Sequence, residues 1–195
     1  KAIQAYEDAK NRIDLNLIRE IEEQTRHDVK ARIEAFNHEA AGFQLIHRGL
    51  TSRDLTDNVE QIQILRAARM VFNKYIAILD RFISKAKQYD RIIITARTHR
   101  QAAQPTVLGR RFAMWAEELY SSLIEFETFI DRYSLRGIKG PVGTQVDLLH
   151  LLGTPDRVSK FEMKMTQAFG FCEVLVAPGQ IYPRSLDYKL ASHLA

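Results

Sequence analysis

The chain has 195 residues, of which 46% are apolar and 27% are charged. This apolar content excludes an intrinsically disordered chain, and the length favours one domain or slightly more. The net charge of +4 suits anionic ligands but comes without the dense Lys/Arg clusters of nucleic-acid binders. A single cysteine cannot form an internal disulfide, which favours a reducing compartment such as the cytoplasm. No apolar run approaches the roughly 20 residues that span a bilayer, so no membrane partner is expected.

Glycine and proline are the strongest breakers of helices, and their positions leave four long tracts uninterrupted. Neither residue occurs before Gly42, between Gly49 and Pro105, between Gly109 and Gly137, or between Pro155 and Gly170. These tracts predict long helices. The first of them opens with a predicted amphipathic helix over Lys1–Glu23.

The tract from Ser52 to Tyr89 predicts one very long helix. Its apolar residues recur in steps of three and four, which is the spacing of one helix face: Leu55, Val59, Ile62, Leu65, Ala68, Phe72, Tyr75, Leu79, Phe82 and Ala86. Further apolar residues widen this stripe until several neighbours are needed to cover it. Because Thr106–Tyr133 repeats the pattern, the predicted fold class is all-α, a bundle of long helices.

The remaining segments predict shorter elements. Between the two long helices we expect a turn, a short extended run at Ile92–Ile94 and a polar loop that ends at Pro105. Arg136 and Lys139 are predicted to lie at the negative C-terminal end of the second long helix. Beyond it we expect a helix from about Asp156, a brief extended run over Cys172–Ala177 and a last helix over Arg184–Ala195.

Two polar segments lie where helices are expected to begin. In the segment Thr25–Asp28 an arginine and a histidine stand beside a carboxylate, and the simpler interpretation is a helix cap formed by Thr25 or Asp28. In the other segment, Thr51 or Ser52 caps the longest helix. Two hydroxyls together with the free amides of a helix start also suit a carboxylate or phosphate, so capping and ligand binding are compatible there.

Two further polar segments lie in predicted loops. Arg97–Gln101 contains His99, whose imidazole can exchange a proton near neutral pH, although a loop histidine is more often a plain surface residue. Pro178–Arg184 contains Gln180, which can either bind a ligand or only shape a turn. The histidines and the single cysteine show no spacing typical of a metal site, and no phosphate-binding glycine loop occurs.

Taken in order, five segments resemble the adenylosuccinate lyase family of the fumarase/aspartase superfamily. They are TRHDVKA, IHRGLTSRDLTDN, ARTHRQAAQPTVLGRRFAMWAEEL, GIKGPVGTQ and APGQIYPR. The resemblance implies an all-α subunit in which residues 1–50 are the remainder of an N-terminal helical domain. Residues 51–195 are then the first part of the central helical-bundle domain. It also implies a homotetramer in which each active site is built from three chains.

The reaction implied by the resemblance is β-elimination of fumarate from adenylosuccinate and from the succinyl-carboxamide ribonucleotide of purine biosynthesis, with no cofactor. Motif by motif, His99 matches the general acid that protonates the leaving nitrogen, and Thr98 lines the same site. The family takes its general base from a serine on a flexible loop whose sequence does not occur in these 195 residues. We therefore expect this segment alone to be inactive.

The remaining matched residues are implied to bind the small-molecule substrate. Arg26, His27 and Asp28 are implied to position the substrate, and His47 to lie at its phosphate side. Thr51 and Ser52 are implied to bind its carboxylate, and Gln180 to make a further contact.

Two other interpretations stay open. Another lyase of the superfamily, such as a carboxymuconate cycloisomerase or argininosuccinate lyase, shares the TS-x-D and G-x-x-GT patterns, although TRHDV and RTH favour the adenylosuccinate branch. The pI of about 9.2 motivates a non-enzymatic helical scaffold or a nucleic-acid-binding bundle. The preferred interpretation is the adenylosuccinate branch, for which we expect no nucleic-acid partner.

Overall fold

The computed structural model describes residues 1–195. Its helices are α1 (Ala2–Ala9), α2 (Leu15–Thr25), α3 (Asp28–Glu39), α4 (Ser52–Gln88), α5 (Leu108–Asp131), α6 (Val146–Leu152), α7 (Pro155–Ala168) and α8 (Ser185–Leu194). One antiparallel hairpin of β1 (Ile93–Thr98) and β2 (Gln101–Val107) and a 3₁₀ turn over Pro141–Gly143 complete it. The all-α prediction is confirmed. None of the helices combines the length and the apolar character that crossing a membrane requires.

The chain forms two compact units. The first comprises Lys1–Ile62 and Ser134–Pro183, and the second comprises Gln63–Tyr133 and Arg184–Ala195. The predicted boundary between residues 50 and 51 separates domains of the whole family rather than these two compact units, and it stays a prediction.

The first unit begins with two helices where one was predicted, so the single helix over Lys1–Glu23 is wrong. The side chain of Asp14 accepts hydrogen bonds from the backbone N–H groups of Asn16 and Leu17 at 2.9 and 3.1 Å, which starts α2 afresh. Helix α1 is then held separately. The hydroxyl of Tyr6 donates to the carbonyl of Phe43 at 2.7 Å and accepts from the N–H of Leu45 at 2.8 Å.

The rest of the first unit packs α6 and α7 around a small apolar core of Ile138, Leu148 and Val158. The extended run predicted over Cys172–Ala177 is reduced to one isolated parallel bridge between Leu135 and Val174. This bridge brings the chain after α7 beside the segment that follows α5, which prepares the candidate site described below.

The predicted place of Arg136 and Lys139 is wrong. Helix α5 ends at Asp131, so both residues lie beyond it, and both side chains are buried. Arg136 pairs with Asp54, and the Nζ of Lys139 lies 2.8 Å from a carboxylate oxygen of Glu162. Buried charges require partners, and here these come from residues far away in sequence.

The second unit is built on aromatic packing between α4 and α5. The ring of Phe126, which is 1% exposed, lies 6.3 Å from that of Phe72 and 6.0 Å from that of Tyr75, centroid to centroid. The wide apolar stripe leaves large side chains uncovered in the single chain, since Met70 is 65% exposed and Trp115 is 48% exposed.

The hairpin of the second unit replaces the predicted polar loop. Strand β2 includes Pro105, which is paired in register with Thr95. A proline is tolerated there because each strand of a two-stranded sheet has one edge without hydrogen-bonded neighbours.

Candidate functional site

A cleft of about 830 Å³ in the first unit brings together four of the predicted site residues, His27, His47, Thr51 and Ser52. We call it the α3–α4 cleft, because α3, the loop before α4 and the start of α4 line it. Its volume falls within the range of small-molecule sites. Lys30 and Arg48 also line the cleft, as does Glu34, whose carboxylate lies 3.6 Å from the Nζ of Lys30. Arg48 is the excess positive charge of the lining, which favours an anionic ligand.

His27 lies at the junction of α2 and α3 and caps α3. Its Nδ1 accepts the backbone N–H of Lys30 at 3.2 Å, so the predicted cap by Thr25 or Asp28 is replaced by the imidazole. An Nδ1 that accepts this bond carries no proton, and its 3.6 Å approach to Asp28 is therefore not an ion pair. The neutral ring then has its proton on Nε2, where it can donate.

Arg26 and Asp28 flank His27 but do not line the α3–α4 cleft. Arg26 ends α2 in a left-handed conformation and borders a separate shallow hollow with Arg19, Glu22 and Glu23. Asp28 accepts a hydrogen bond from Arg32 at 3.1 Å, one turn further along α3. Their predicted contact with the substrate stays a prediction.

His47 is the one lining residue with a buried polar atom that has no partner within the chain. Its Nε2 is buried and makes no hydrogen bond, while its backbone has a φ of 65°. A buried nitrogen without a partner destabilises the fold by about 1–3 kcal/mol, and strained backbone is concentrated at ligand sites. Both features are those of a residue that binds a ligand.

The start of α4 supplies two hydroxyls to the α3–α4 cleft. Helix α4 begins at Ser52, so Thr51 stands at the predicted capping position. The backbone N–H of Thr51 donates to Asp54 at 2.8 Å, and the N–H of Asp54 donates back to the Thr51 carbonyl at 2.9 Å. This arrangement leaves the Thr51 hydroxyl out of the cap, beside the positive end of a long helix.

Gln180, which is distant in sequence, contacts the Thr51 hydroxyl. Its Oε1 accepts the backbone N–H of Val142 at 2.6 Å, so its Nε2 faces Thr51 and donates to Oγ1 at 3.0 Å. Since the Thr51 oxygen accepts this bond, its own proton remains to be donated. The α4 start, the 3₁₀ turn and the loop after α7 thus meet at a group of donors that fits a carboxylate.

A buried polar stripe on α4, which the sequence analysis missed, holds these three segments together. Its members are spaced as i, i+3, i+4 and i+7 and all are buried: Asp54, Asp57, Asn58 and Gln61. Polar residues at helical spacing on one face were the available signal, but the apolar stripe of the same helix was the stronger pattern.

Each member of the stripe holds a different backbone group. Asp54 accepts the N–H groups of Lys139 at 2.8 Å and Gly140 at 3.0 Å, besides the Arg136 guanidinium. Asp57 accepts the N–H of Tyr182 at 3.1 Å.

The two amide side chains hold the segment before the 3₁₀ turn. Asn58 exchanges two hydrogen bonds with Gly137, at 2.9 and 3.0 Å. Gln61 accepts the N–H of Arg136 at 2.6 Å and donates to the carbonyl of Ser134 at 2.9 Å. The backbone around the candidate site is therefore fixed by side chains of α4.

Thr98 and His99 belong to the second unit. His99 and Arg100 are the two turn residues of the hairpin, with φ values of 47° and 62°. Such turns normally take glycine or asparagine, so two large residues here are strained. The hairpin pairs Thr98 with Gln101 and presents an exposed His99 at its tip.

A comparison with protein families matches the model described as "Lyase" over residues 1–151. Among curated proteins, the chain is similar to adenylosuccinate lyase of Saccharomyces cerevisiae, 35% identical over 172 residues, 87% of this chain and 36% of the relative. The adenylosuccinate lyase of Schistosoma mansoni is 34% identical over 177 residues, 89% of this chain and 37% of the relative. The chain thus spans less than two fifths of the length of these two relatives.

Among solved structures, a fumarate lyase from Mesorhizobium sp. BNC1 superposes with a TM-score of 0.82 at 18% identity, over 99% of this chain and 44% of that one. A 3-carboxy-cis,cis-muconate lactonizing enzyme from Pseudomonas putida superposes with a TM-score of 0.80, also at 18% identity and with the same coverage. At such identity the likeness concerns the fold, and it confirms the predicted long-helix bundle of the fumarase/aspartase type.

Proposed function

Since this chain belongs to the lyase family, we propose that the protein is an adenylosuccinate lyase. It eliminates fumarate from adenylosuccinate, giving AMP, and from succinyl-aminoimidazole-carboxamide ribonucleotide, as a cytoplasmic enzyme of purine biosynthesis. The observation that carries the proposal is the hydrogen bond of Gln180 to Thr51 at the start of α4, since Thr51 also lines the cleft that contains His27 and His47. The names of the similar curated proteins support the substrate class.

The carboxylate end of the substrate binds at the α4 start. The Thr51 hydroxyl, the second amide hydrogen of Gln180 and the Ser52 hydroxyl donate to it, and the helix dipole adds favourable charge. His47, with its unpaired buried Nε2, lies at the phosphate side of the cleft. Arg48 on the cleft lining favours the same anion.

The elimination needs one base and one acid. The base removes a proton from the carbon next to a carboxylate, the carbon–nitrogen bond breaks, and the departing nitrogen takes a proton. We assign that acid to His99, which the hairpin exposes at its tip, with Thr98 beside it. The base is the serine of a loop outside these 195 residues, and the reaction uses no cofactor.

A homotetramer with active sites shared among three subunits completes the proposal. It is supported by the large apolar side chains that α4 and α5 leave exposed in the second unit, such as Met70, Trp115 and Ile124. Pairing these faces between subunits removes them from water, which is the usual driving force of association.

The test follows fumarate formation by the full-length protein, by ultraviolet absorbance, with adenylosuccinate as substrate. Thr51→Val keeps the side-chain shape but removes a donor to a charged group. It should raise the fumarate inhibition constant about 10- to 150-fold, the equivalent of about 1.5–3 kcal/mol. Thr56→Val is the matched control, because the Thr56 hydroxyl only bonds the carbonyl of Ser52 on the same helix.

His99→Ala should lower kcat by about 10²- to 10⁴-fold. A His99→Ala enzyme as fast as wild type would remove the assigned acid. Wild-type protein that does not cleave adenylosuccinate but releases fumarate from argininosuccinate would instead favour the argininosuccinate lyase branch of the superfamily.

A further inference from the structure

We propose that Arg136 is a positioning residue for the carboxylate end of the substrate site. It holds Gln180 against Thr51 without itself lining the α3–α4 cleft. The inference rests on the proposed function in one respect only, namely that Thr51 and Gln180 bind a substrate carboxylate.

The guanidinium of Arg136 connects the backbone on both sides of the Thr51–Gln180 hydrogen bond. Its Nη2 donates at 3.2 Å to the carbonyl of Gly179, the residue before Gln180. Its Nη1 donates to Oδ1 of Asp54, whose Oδ2 accepts the backbone N–H of Thr51 at 2.8 Å. One guanidinium and one carboxylate therefore link the two residues whose side chains meet at 3.0 Å.

The other side of Gln180 is attached to the same cluster. Asp57 accepts the backbone N–H of Tyr182 at 3.1 Å, and its Oδ2 lies 3.8 Å from Nε of Arg136. The loop that carries Gln180 is thus held before and after that residue. Its side chain needs such support, because Gln180 itself is exposed and would otherwise sample several rotamers.

Burial makes this connection stiff. Arg136 is 0% exposed and Asp54 is 3% exposed, so their attraction is little screened by water. Besides the arginine, Asp54 has the backbone N–H groups of Lys139 and Gly140 as donors. A change at Arg136 should therefore release the Gly179 side of the connection first.

Arginine suits this place because its planar fork reaches two acceptors at fixed angles. Lysine has the same charge on a single flexible nitrogen and cannot bind Asp54 and the Gly179 carbonyl in the same geometry. Arg136→Lys consequently keeps the buried charge but loosens the loop, which separates positioning from charge balance.

The test compares wild type, Arg136→Lys, Gln180→Ala and the double variant in the full-length protein. Fumarate and AMP binding are each measured by calorimetry, which does not require turnover, and kcat and KM for adenylosuccinate are measured beside them. We expect Arg136→Lys to weaken fumarate binding about 10-fold while AMP binding changes less than about twofold. In the Gln180→Ala background the same change should have almost no further effect, because Arg136 acts through Gln180.

Glu162→Gln is the matched control. It weakens another buried ion pair of the same unit, the one between Glu162 and Lys139. The Glu162 carboxylate makes no bond to the loop that carries Gln180. Its effect should be additive with Gln180→Ala. Should Arg136→Lys fail to fold, Asp54→Asn is measured instead. It weakens the Arg136 contact and also the bonds from Thr51, Lys139 and Gly140, so it should weaken fumarate binding more than about 10-fold and still be non-additive with Gln180→Ala.

The proposal is overturned if Arg136→Lys and Gln180→Ala act independently, or if AMP and fumarate binding weaken equally. Wild type that binds fumarate but does not cleave adenylosuccinate contradicts the proposed function and leaves the comparison of variants intact. Wild type that binds no fumarate contradicts both.

Discussion

Gly143 and Gly153 offer a controlled way to displace the Gln180 loop. Their φ values are 83° and 84°, so alanine at either position has the same unfavourable backbone conformation, which destabilises by about 1 kcal/mol. They differ in their surroundings. A Cβ on Gly143 would overlap the carbonyl oxygen of Pro178 and lie 3.0 Å from that of Gly179, whereas a Cβ on Gly153 meets nothing within 4 Å.

The Pro178 carbonyl must retreat by about 1 Å before alanine at position 143 has an ordinary non-bonded distance. That movement takes Gln180 away from Thr51 and Val142, and a displacement of this size at a site lowers kcat/KM by about 100-fold. Gly153→Ala should stay within about threefold of wild type. Fumarate release measures activity, and urea unfolding gives the stability of each variant, so that activities are compared under conditions where both variants are folded. Equal activities of the two variants would refute the assignment of this loop to the site.

Three further predictions concern stability, each measured by chemical denaturation followed by circular dichroism. Val142→Gly should stabilise by about 0.5–1 kcal/mol, because a β-branched residue at a φ of 50° is relieved while its N–H to Gln180 is kept; a lower midpoint would contradict this. Phe126→Ala should destabilise by about 3–5 kcal/mol, against less than about 0.5 for exposed Glu118→Ala on the same helix. Asn58→Ala should destabilise by about 1–3 kcal/mol, because it leaves the buried N–H of Gly137 without a partner and its carbonyl with Arg136 as the remaining donor; a neutral result would contradict that bond pair.

Local patterns predicted the long helices well. Helix α4 was expected from Ser52 to Tyr89 and extends from Ser52 to Gln88, because an apolar step of three and four is a property of the helix itself. The failures at Lys1–Glu23 and at the hairpin have one cause. The local sequence pattern is compatible with more than one structure in both segments. Capping by Asp14 divides the first predicted helix into two, and strand pairing turns the predicted loop into a hairpin.

The positions of the predicted site residues in the fold could be foreseen only where a local feature fixes them. Thr51 and Ser52 could be placed because a helix start is a local feature with known chemistry. Arg136 was misplaced because its partner Asp54 is 82 residues away in sequence. Spacing along the chain carries no information about such a pair.

The amino-acid sequence by itself determined that the chain forms long helices and which polar segments interrupt them, since hydrophobic periodicity and breakers act over a few residues. Only the tertiary structure decided that Gln180 reaches Thr51, that Asp54 and Arg136 lie buried behind them, and that His47 has a nitrogen without a partner. These arrangements depend on burial and on contacts between distant segments, which exist only once the chain has packed.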